Sequence, residues 1–282
     1  MSSPVTKVSR LFGYTRQNFY KRLKEQEVLG HKSSQVLMHV LRERGMMPRL
    51  GGRKLKHRMG LQGLHYGRDR LFDLLRRNHL LIKPLRSYTK TTYSKHWLKK
   101  YSNLIKQKQV NSPNQVWVSD ITYIKTDEGY NYLSLVTDKF SRKIVGYDLS
   151  DSLKAEGAIR ALQMAIRQRE HQHELIHHSD RGLQYCSHEY QQLLAQHQIK
   201  PSMTEQDDPY ENALAERMNG ILKAEFLLED GFPNNQLARL AIVESIEIYN
   251  TIRPHMSLNM RTPQQVHTSK DPKALEALGS LK

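Results

Sequence analysis

Val116-Trp117-Val118-Ser119-Asp120-Ile121-Thr122-Tyr123-Ile124 is the stretch on which the reading of this chain turns. Apolar, β-branched and aromatic residues dominate it, which predicts a strand. Alternation puts Asp120 on the face shared by Val116 and Val118. Burying an ionised carboxylate there costs on the order of several kcal/mol unless something pairs with it. A metal ion is one such partner; a strand-end turn or an arginine is another. A second apolar run, Leu175-Ile176-His177-His178-Ser179, ends at Asp180 and is followed by Arg181-Gly182. Sheets present ligand groups at such strand ends, although an ordinary Asp-Arg-Gly turn has the same composition. Glu216 follows after 35 intervening residues on a helical segment, with Leu214, Met218 and Ile221 on one side of the wheel. Glu216, Asn219 and Lys223 fall on the other side. Taken singly, Glu216 reads as a solvated surface acid. Together, three carboxylates so placed can hold two divalent cations, and two cations can drive phosphoryl transfer on a nucleic-acid backbone.

Around this run the pattern predicts strands at 116–124, 130–138 and 143–150, joined by Asp127-Glu128-Gly129 and Ser141-Arg142. The glycine turn and the alternating Tyr130, Tyr132 and Val136 predict antiparallel hairpins. A helix follows at 154–169, a strand at 174–179, a helix at 187–198 and a short strand near 201–204. Long helices at 212–228 and 235–250 close the series. The order implies an α/β fold with a mixed central sheet of five strands and helices on both faces. Asn212 is expected to cap the helix bearing Glu216. His178 reads as a packed strand-end histidine, with a proton relay as the functional alternative.

The N-terminal part reads as all-α. Residues 4–26 predict two short helices: Val5, Val8 and Leu11 form an apolar stripe, Gly13 permits a turn and Thr15 caps the second helix. That helix exposes Arg16, Gln17, Asn18, Lys21 and Arg22, a helix-turn-helix pattern suited to a DNA groove. A second helical unit spans 31–82, with Val36, Leu37, Val40 and Leu41 as one stripe. It carries the basic Arg53, Lys54, Lys56 and Arg58, and a helix after Tyr66-Gly67-Arg68 that runs to Pro84. Residues 83–110 read as a basic connector containing Lys99 and Lys100, with a short helix at 95–106. The remaining divisions are 111–267 for the α/β core and 268–282 for a tail.

Charge is divided along the same line. The chain of 282 residues has a formal charge of +16; residues 1–110 carry 26 Lys/Arg against 5 Asp/Glu, a net of +21, and the remainder carries a net of −5. Such asymmetry pairs a polyanion-binding half with an acidic half that attracts cations. Ten Lys/Arg and no acid lie between Asp73 and Asp120, as expected of a segment that tracks phosphates. Cys186 is the single cysteine, which excludes an intrachain disulfide and fits a reducing compartment. The polar N-terminus does not read as a signal peptide, and no stretch has the length and hydropathy of a membrane span. A cytoplasmic, nucleoid-associated prokaryotic protein is expected.

The strings WVSDITYI, HSDRGLQY, PYENALAERMNGILKAE and YNTIRPHMSLNMRTPQQ, in order across residues 110–267, resemble the catalytic core shared by retroviral integrases and bacterial insertion-sequence transposases. They are most similar to the second-frame (OrfB-type) transposases, and residues 36–82 resemble the helix-turn-helix segment preceding that core. Asp208 and Glu211 stand where many relatives have Gly and Asp, a departure confined to a loop. The resemblance implies an RNase H-like core, with Asp120, Asp180 and Glu216 as both the catalytic and the metal-binding triad. It implies two Mg2+ ions, replaceable by Mn2+, and DNA strand cleavage and transfer at the terminal inverted repeats of a mobile element. Lys223 and Arg253 are expected as phosphate contacts, with His178, Asn212 and Asn219 as accessory groups. Double-stranded DNA (element ends and target), a dimer or larger self-assembly, and a DNA-binding protein from an upstream reading frame are the implied partners. The competing readings are a sequence-specific DNA-binding regulator without catalysis and an RNase H-like nuclease or resolvase.

Overall fold

A computed structural model describes residues 4–83, 98–169, 174–205 and 211–269. The chain divides into two units, one of residues 1–46 with 50–82, the other of 47–49 with 83–282. The expected connector segment 84–97, the residues around Asp208 and the tail beyond 269 lie outside the described residues.

The larger unit is built on strands β1 (Val116–Thr126), β2 (Gly129–Asp138), β3 (Ile144–Ser150), β4 (Leu175–Ser179) and β5 (Ile199–Met203). They form one sheet in the order β3-β2-β1-β4-β5. β1, β2 and β3 are antiparallel, whereas β4 pairs parallel with both β1 and β5. This is the expected mixed five-stranded, RNase H-like sheet. Odd-numbered residues of β1 and β4 face α5 (Ala155–Arg167), α6 (Leu183–Cys186) and α7 (His188–Gln196): Trp117, Leu175, Leu162, Tyr185 and Tyr190 share one core. Even-numbered residues face α8 (Ala213–Glu225): Val116, Val118, Ile176 and Ala215 form the opposite core. α9 (Asn235–Thr251) and α10 (Pro263–His267) complete the unit.

Close packing of β3 on α5 depends on Gly146. A Cβ there would meet the Ala161 carbonyl oxygen at 2.1 Å. The C-terminal signature docks onto the core through its side chains. Asn250 both accepts from the Ile144 amide and donates to its carbonyl at 3.0 Å, Tyr249 donates to the Arg142 carbonyl at 2.9 Å, and Thr262 and Gln265 form a reciprocal cap on α10.

The smaller unit contains α1 (Pro4–Leu11), α2 (Arg16–Met46), α3 (Gly52–Leu61) and α4 (Arg68–Arg77). Thr15 caps α2 by accepting from the Asn18 amide at 3.2 Å, but α2 does not stop at Leu23. It continues for 31 residues, so the border expected at 30/31 falls inside a continuous helix. No glycine or proline strong enough to stop it lies between: Gly30 is a helical glycine, tolerated at about 1 kcal/mol. Two stripes also differ from expectation. Val8 and Leu11 are exposed, and the inward face of α2 is Val36, His39, Val40 and Glu43, with Leu41 pointing outward. α4 ends at Arg77, before Leu80–Ile82, because His79 adopts φ +55° and the Leu80 amide closes onto the Leu75 carbonyl at 2.7 Å. Residues 98–106 are not helical either. The amides of Asn103 and Leu104 are taken by the side chains of Glu205 and Ser202 at 2.9 Å, which removes the helical ladder.

Candidate active site

β1 and β4 run parallel and in register as far as Val118 and His178. Beyond that point Asp120 follows in the middle of β1 and Asp180 directly after the end of β4, and the end of a parallel strand is where open sheets place ligands. α8 packs on the even-numbered face of β1 and brings Asn219 to Asp120, with Glu216 one turn earlier on the same helix. The Asn219 amide donates to Asp120 Oδ2 at 2.8 Å, and the Ile121 amide donates to Oδ1 at 2.9 Å. Asp180 Oδ1 accepts from the Gly182 amide at 2.9 Å, which bends the chain away from the strand.

Electrostatics show that the three acids share one field. Asp120 keeps some solvent contact at the crevice mouth, yet dense surroundings desolvate it. Burial first, then the charge of Asp180, and later that of Glu216, push its carboxyl up to about 7, against the two hydrogen bonds that favour the charged form. Glu216 is exposed on the first turn of α8 and is also raised, by desolvation and then by Asp180. Among the described residues, no three His, Cys, Asp or Glu side chains converge into a ready-made cage for an ion. The acids thus share a field without forming a closed ligand shell.

The donor set fits hard divalent cations. It is all oxygen, it is net negative, and no arginine or lysine among the described residues is hydrogen-bonded to Asp120. The buried Oδ1 atoms of Asn219 and Asn212 also lack partners. Asn212 departs from its expected capping role: it occupies the N-cap position of α8, but its side chain donates instead to the Ser119 carbonyl at 3.2 Å. It therefore ties α8 to β1. Asn219 departs from the wheel, which grouped it with exposed residues. It is buried because the polar edge of α8 turns toward Asp120. Lys223 is half-buried on that edge, its ammonium pKa lowered by burial against the pull of Glu229 and Asp120.

His178 is a packed structural residue. Its Nδ1 meets Ser202 Oγ at 2.8 Å and its Nε2 the Glu211 carbonyl at 3.2 Å. Burial lowers its pKa to about 4, so it is neutral near pH 7 and has no free nitrogen for a proton relay. Tyr185, inside the motif that ends at residue 185, was assigned no role from sequence. It is buried within the electrostatic reach of both aspartates, and only its position five residues after Asp180 could have singled it out.

The basic residues expected to touch DNA separate into two groups. Arg16, Gln17, Asn18, Lys21, Arg22, Arg53, Lys56, Arg68, Lys99 and Lys100 are exposed. Three others point inward. Arg58 makes two hydrogen bonds to the fully buried Glu43, at 2.8 and 3.0 Å. Lys54 is buried. Arg253 is 3% exposed and grips Glu225 through two bonds, at 2.7 and 2.8 Å. The Arg58 guanidinium is engaged by the buried Glu43 and that of Arg253 by the half-buried Glu225, so both have carboxylate partners within the fold that compete with a phosphate.

Two family models described as the integrase core domain match residues 110–209 and 197–263. The transposase InsF of insertion sequence IS3A from Escherichia coli (strain K12) is 34% identical over 264 residues, covering 93% of this chain and 91% of that protein. The chain belongs to the insertion-sequence transposases with an integrase core. A 31 kDa protein of insertion element IS600 from Shigella sonnei is 35% identical over 258 residues, covering 90% of this chain and 95% of that protein. Among solved structures, the magnesium complex of the HTLV-2 integrase catalytic core domain aligns with a TM-score of 0.46 and 25% identity, over 55% of this chain and 97% of that one. The transposase is accordingly a polynucleotidyl transferase. No described helix is long and apolar enough to cross a membrane.

Proposed function

We propose that Asp120, Asp180 and Glu216 are the catalytic, metal-binding acids of a DDE transposase, holding two Mg2+ ions (Mn2+ as a substitute) while the enzyme cuts and joins DNA at the ends of its element. The observation that carries this reading is the shared field of the three acids, with Asp120 pushed up to about 7 and no basic side chain among the described residues hydrogen-bonded to it. A pocket of that charge attracts divalent cations. Cations held by Asp120, Asp180 and Glu216 would supply Lewis-acid chemistry for phosphoryl transfer, lowering the pKa of an attacking water or 3′-hydroxyl and offsetting charge on the leaving 3′-oxygen. Asp120, fixed by Ile121 and Asn219, provides the central oxygen pair. Asp180 is held by the Gly182 turn. Glu216, exposed on the first turn of α8, is the arm with most freedom to move. Lys223 supplies a partly desolvated positive charge beside Asp120, suited to a phosphate of the terminal DNA.

The exposed basic residues of α2, α3 and α4, with Lys99 and Lys100, bind duplex DNA at the element ends and target. Self-association joins two ends, an upstream-frame protein serves as a DNA-binding partner, and the enzyme works at the prokaryotic nucleoid. The helical unit 1–82, the connector 83–110, the core 111–267 and the tail 268–282 divide these tasks. Glu216→Gln tests the chemistry. Strand cleavage and joining of element ends in Mg2+ should fall at least about 10³-fold, as expected for loss of a charged ligand to the catalytic metals, with end binding unchanged. Near-wild-type cleavage would remove Glu216 from the triad.

A further inference from the structure

Tyr185 is buried to 3% exposure, and its hydroxyl has no hydrogen-bond partner among the described residues. The contrast with Tyr190 is direct. The Tyr190 ring packs edge-on against Tyr185 at 5.4 Å, and its own hydroxyl reaches His177 Nε2 at 2.8 Å. Ser119 Oγ meets the same nitrogen at 2.7 Å, so the neighbouring polar groups are satisfied. An orphaned buried hydroxyl costs about 1–3 kcal/mol. Phenylalanine would fill the same aromatic cluster without that cost, so packing alone does not account for the phenol oxygen.

Its position does. Tyr185 lies on the single turn of α6, immediately after the Asp180-Arg181-Gly182 bend. A Cβ built on Gly182 would stand 3.0 Å from Asp180 Oδ1 and 3.7 Å from Tyr185 Cδ2. The ring edge and the carboxylate therefore flank one spot, and the bare glycine keeps that spot open. Asp120 is the charge that acts most strongly on the phenol, and Asp180 also contributes. Burial and these two negative charges hold the phenol protonated. A buried hydroxyl without a partner among the described residues, on a ring whose edge lies beside the Asp180 turn, has a hydrogen left to donate.

We propose that Tyr185 is a positioning residue of the carboxylate site: its hydroxyl donates to the Asp120–Asp180 pair, directly or through one trapped water, when the two carboxylates draw together around divalent cations. This rests on the metal-binding reading given above. Ligating carboxylates are oriented by hydrogen bonds from outside the ligand shell, and loss of such a donor typically weakens metal binding about 10–100-fold.

The test is Tyr185→Phe in the full-length chain, read by thermal denaturation over a Mg2+ titration, with a parallel Mn2+ titration. The wild-type melting temperature should rise on Mg2+ addition, and Asp120→Asn should abolish the rise. Tyr185→Phe should keep or increase the metal-free melting temperature, because the orphaned hydroxyl is gone, while its half-saturating Mg2+ concentration rises about tenfold or more. An unchanged half-saturation for both metals would overturn the proposal. So would a lower metal-free melting temperature, which would make the hydroxyl a structural tie. If the wild-type protein itself shows no metal-dependent shift, the metal reading fails first and the role of Tyr185 fails with it.

Discussion

Asp120 is the residue on which site and stability meet. Two donors orient it, while burial and two acidic neighbours oppose its charge. Removing the Asn219 donor should therefore loosen the carboxylate without touching DNA. Asn219→Ala is expected to lower Mg2+-dependent cleavage about 10–100-fold, with end binding unchanged in a gel-shift titration. Asp120 was legible in the sequence because an acid in an apolar strand demands a partner. The partners of Arg58 and Arg253 were not legible, for the opposite reason. A basic side chain looks the same whether its partner is a phosphate or a carboxylate brought from elsewhere by folding, here Glu43 and Glu225. Arg253→Ala should cost about 1.5–3 kcal/mol in urea denaturation, the value of charge-assisted hydrogen bonds, and leave DNA affinity unaltered.

At the level of elements, the alternation of β1 and the glycine turn at Gly129 made the antiparallel hairpin readable, and residue 120 fell on the face that α8 covers. The length of α2 was not readable, because a turn at its start and a polar middle resemble two separate helices. Nor did the wheel for α8 reveal that its polar edge would be buried, since that depends on how α8 packs across β1 at Asp120. The β3–α5 contact makes a firm prediction. Gly146→Ala forces a Cβ into the Ala161 carbonyl and should destabilise by at least about 1–3 kcal/mol, as overpacked cores do. β4 carries a second one, through His177 and His178. Their folded pKa values, about 3 and about 4, lie below the ordinary 6.5 because of burial. The unfolded chain therefore binds protons that the fold refuses. Their contribution is fully present above about pH 6.5 and is lost as pH falls toward 4 and then 3. The melting temperature should drop across that window, and His178→Asn should drop less steeply than wild type.

Across the whole molecule, charge is divided between a basic N-terminal part and an acidic core, and this division was visible from composition. Which cations face solvent was not, and the difference has a measurable consequence. Each phosphate contact contributes about −0.9 to the slope of log affinity against log salt. Replacing the exposed Arg53 and Lys56 together by alanine should shallow that slope by about 2. Arg58→Ala should leave it unchanged while destabilising the helical unit, because its guanidinium holds Glu43.

The most direct measurement of the central claim is the anomalous scattering of Mn2+ in crystals of the full-length transposase. The account predicts manganese peaks within ligand distance of carboxylate oxygens from Asp120, Asp180 and Glu216, and their loss in Asp120→Asn. Manganese bound elsewhere, with those three side chains facing away from it, would contradict the assignment.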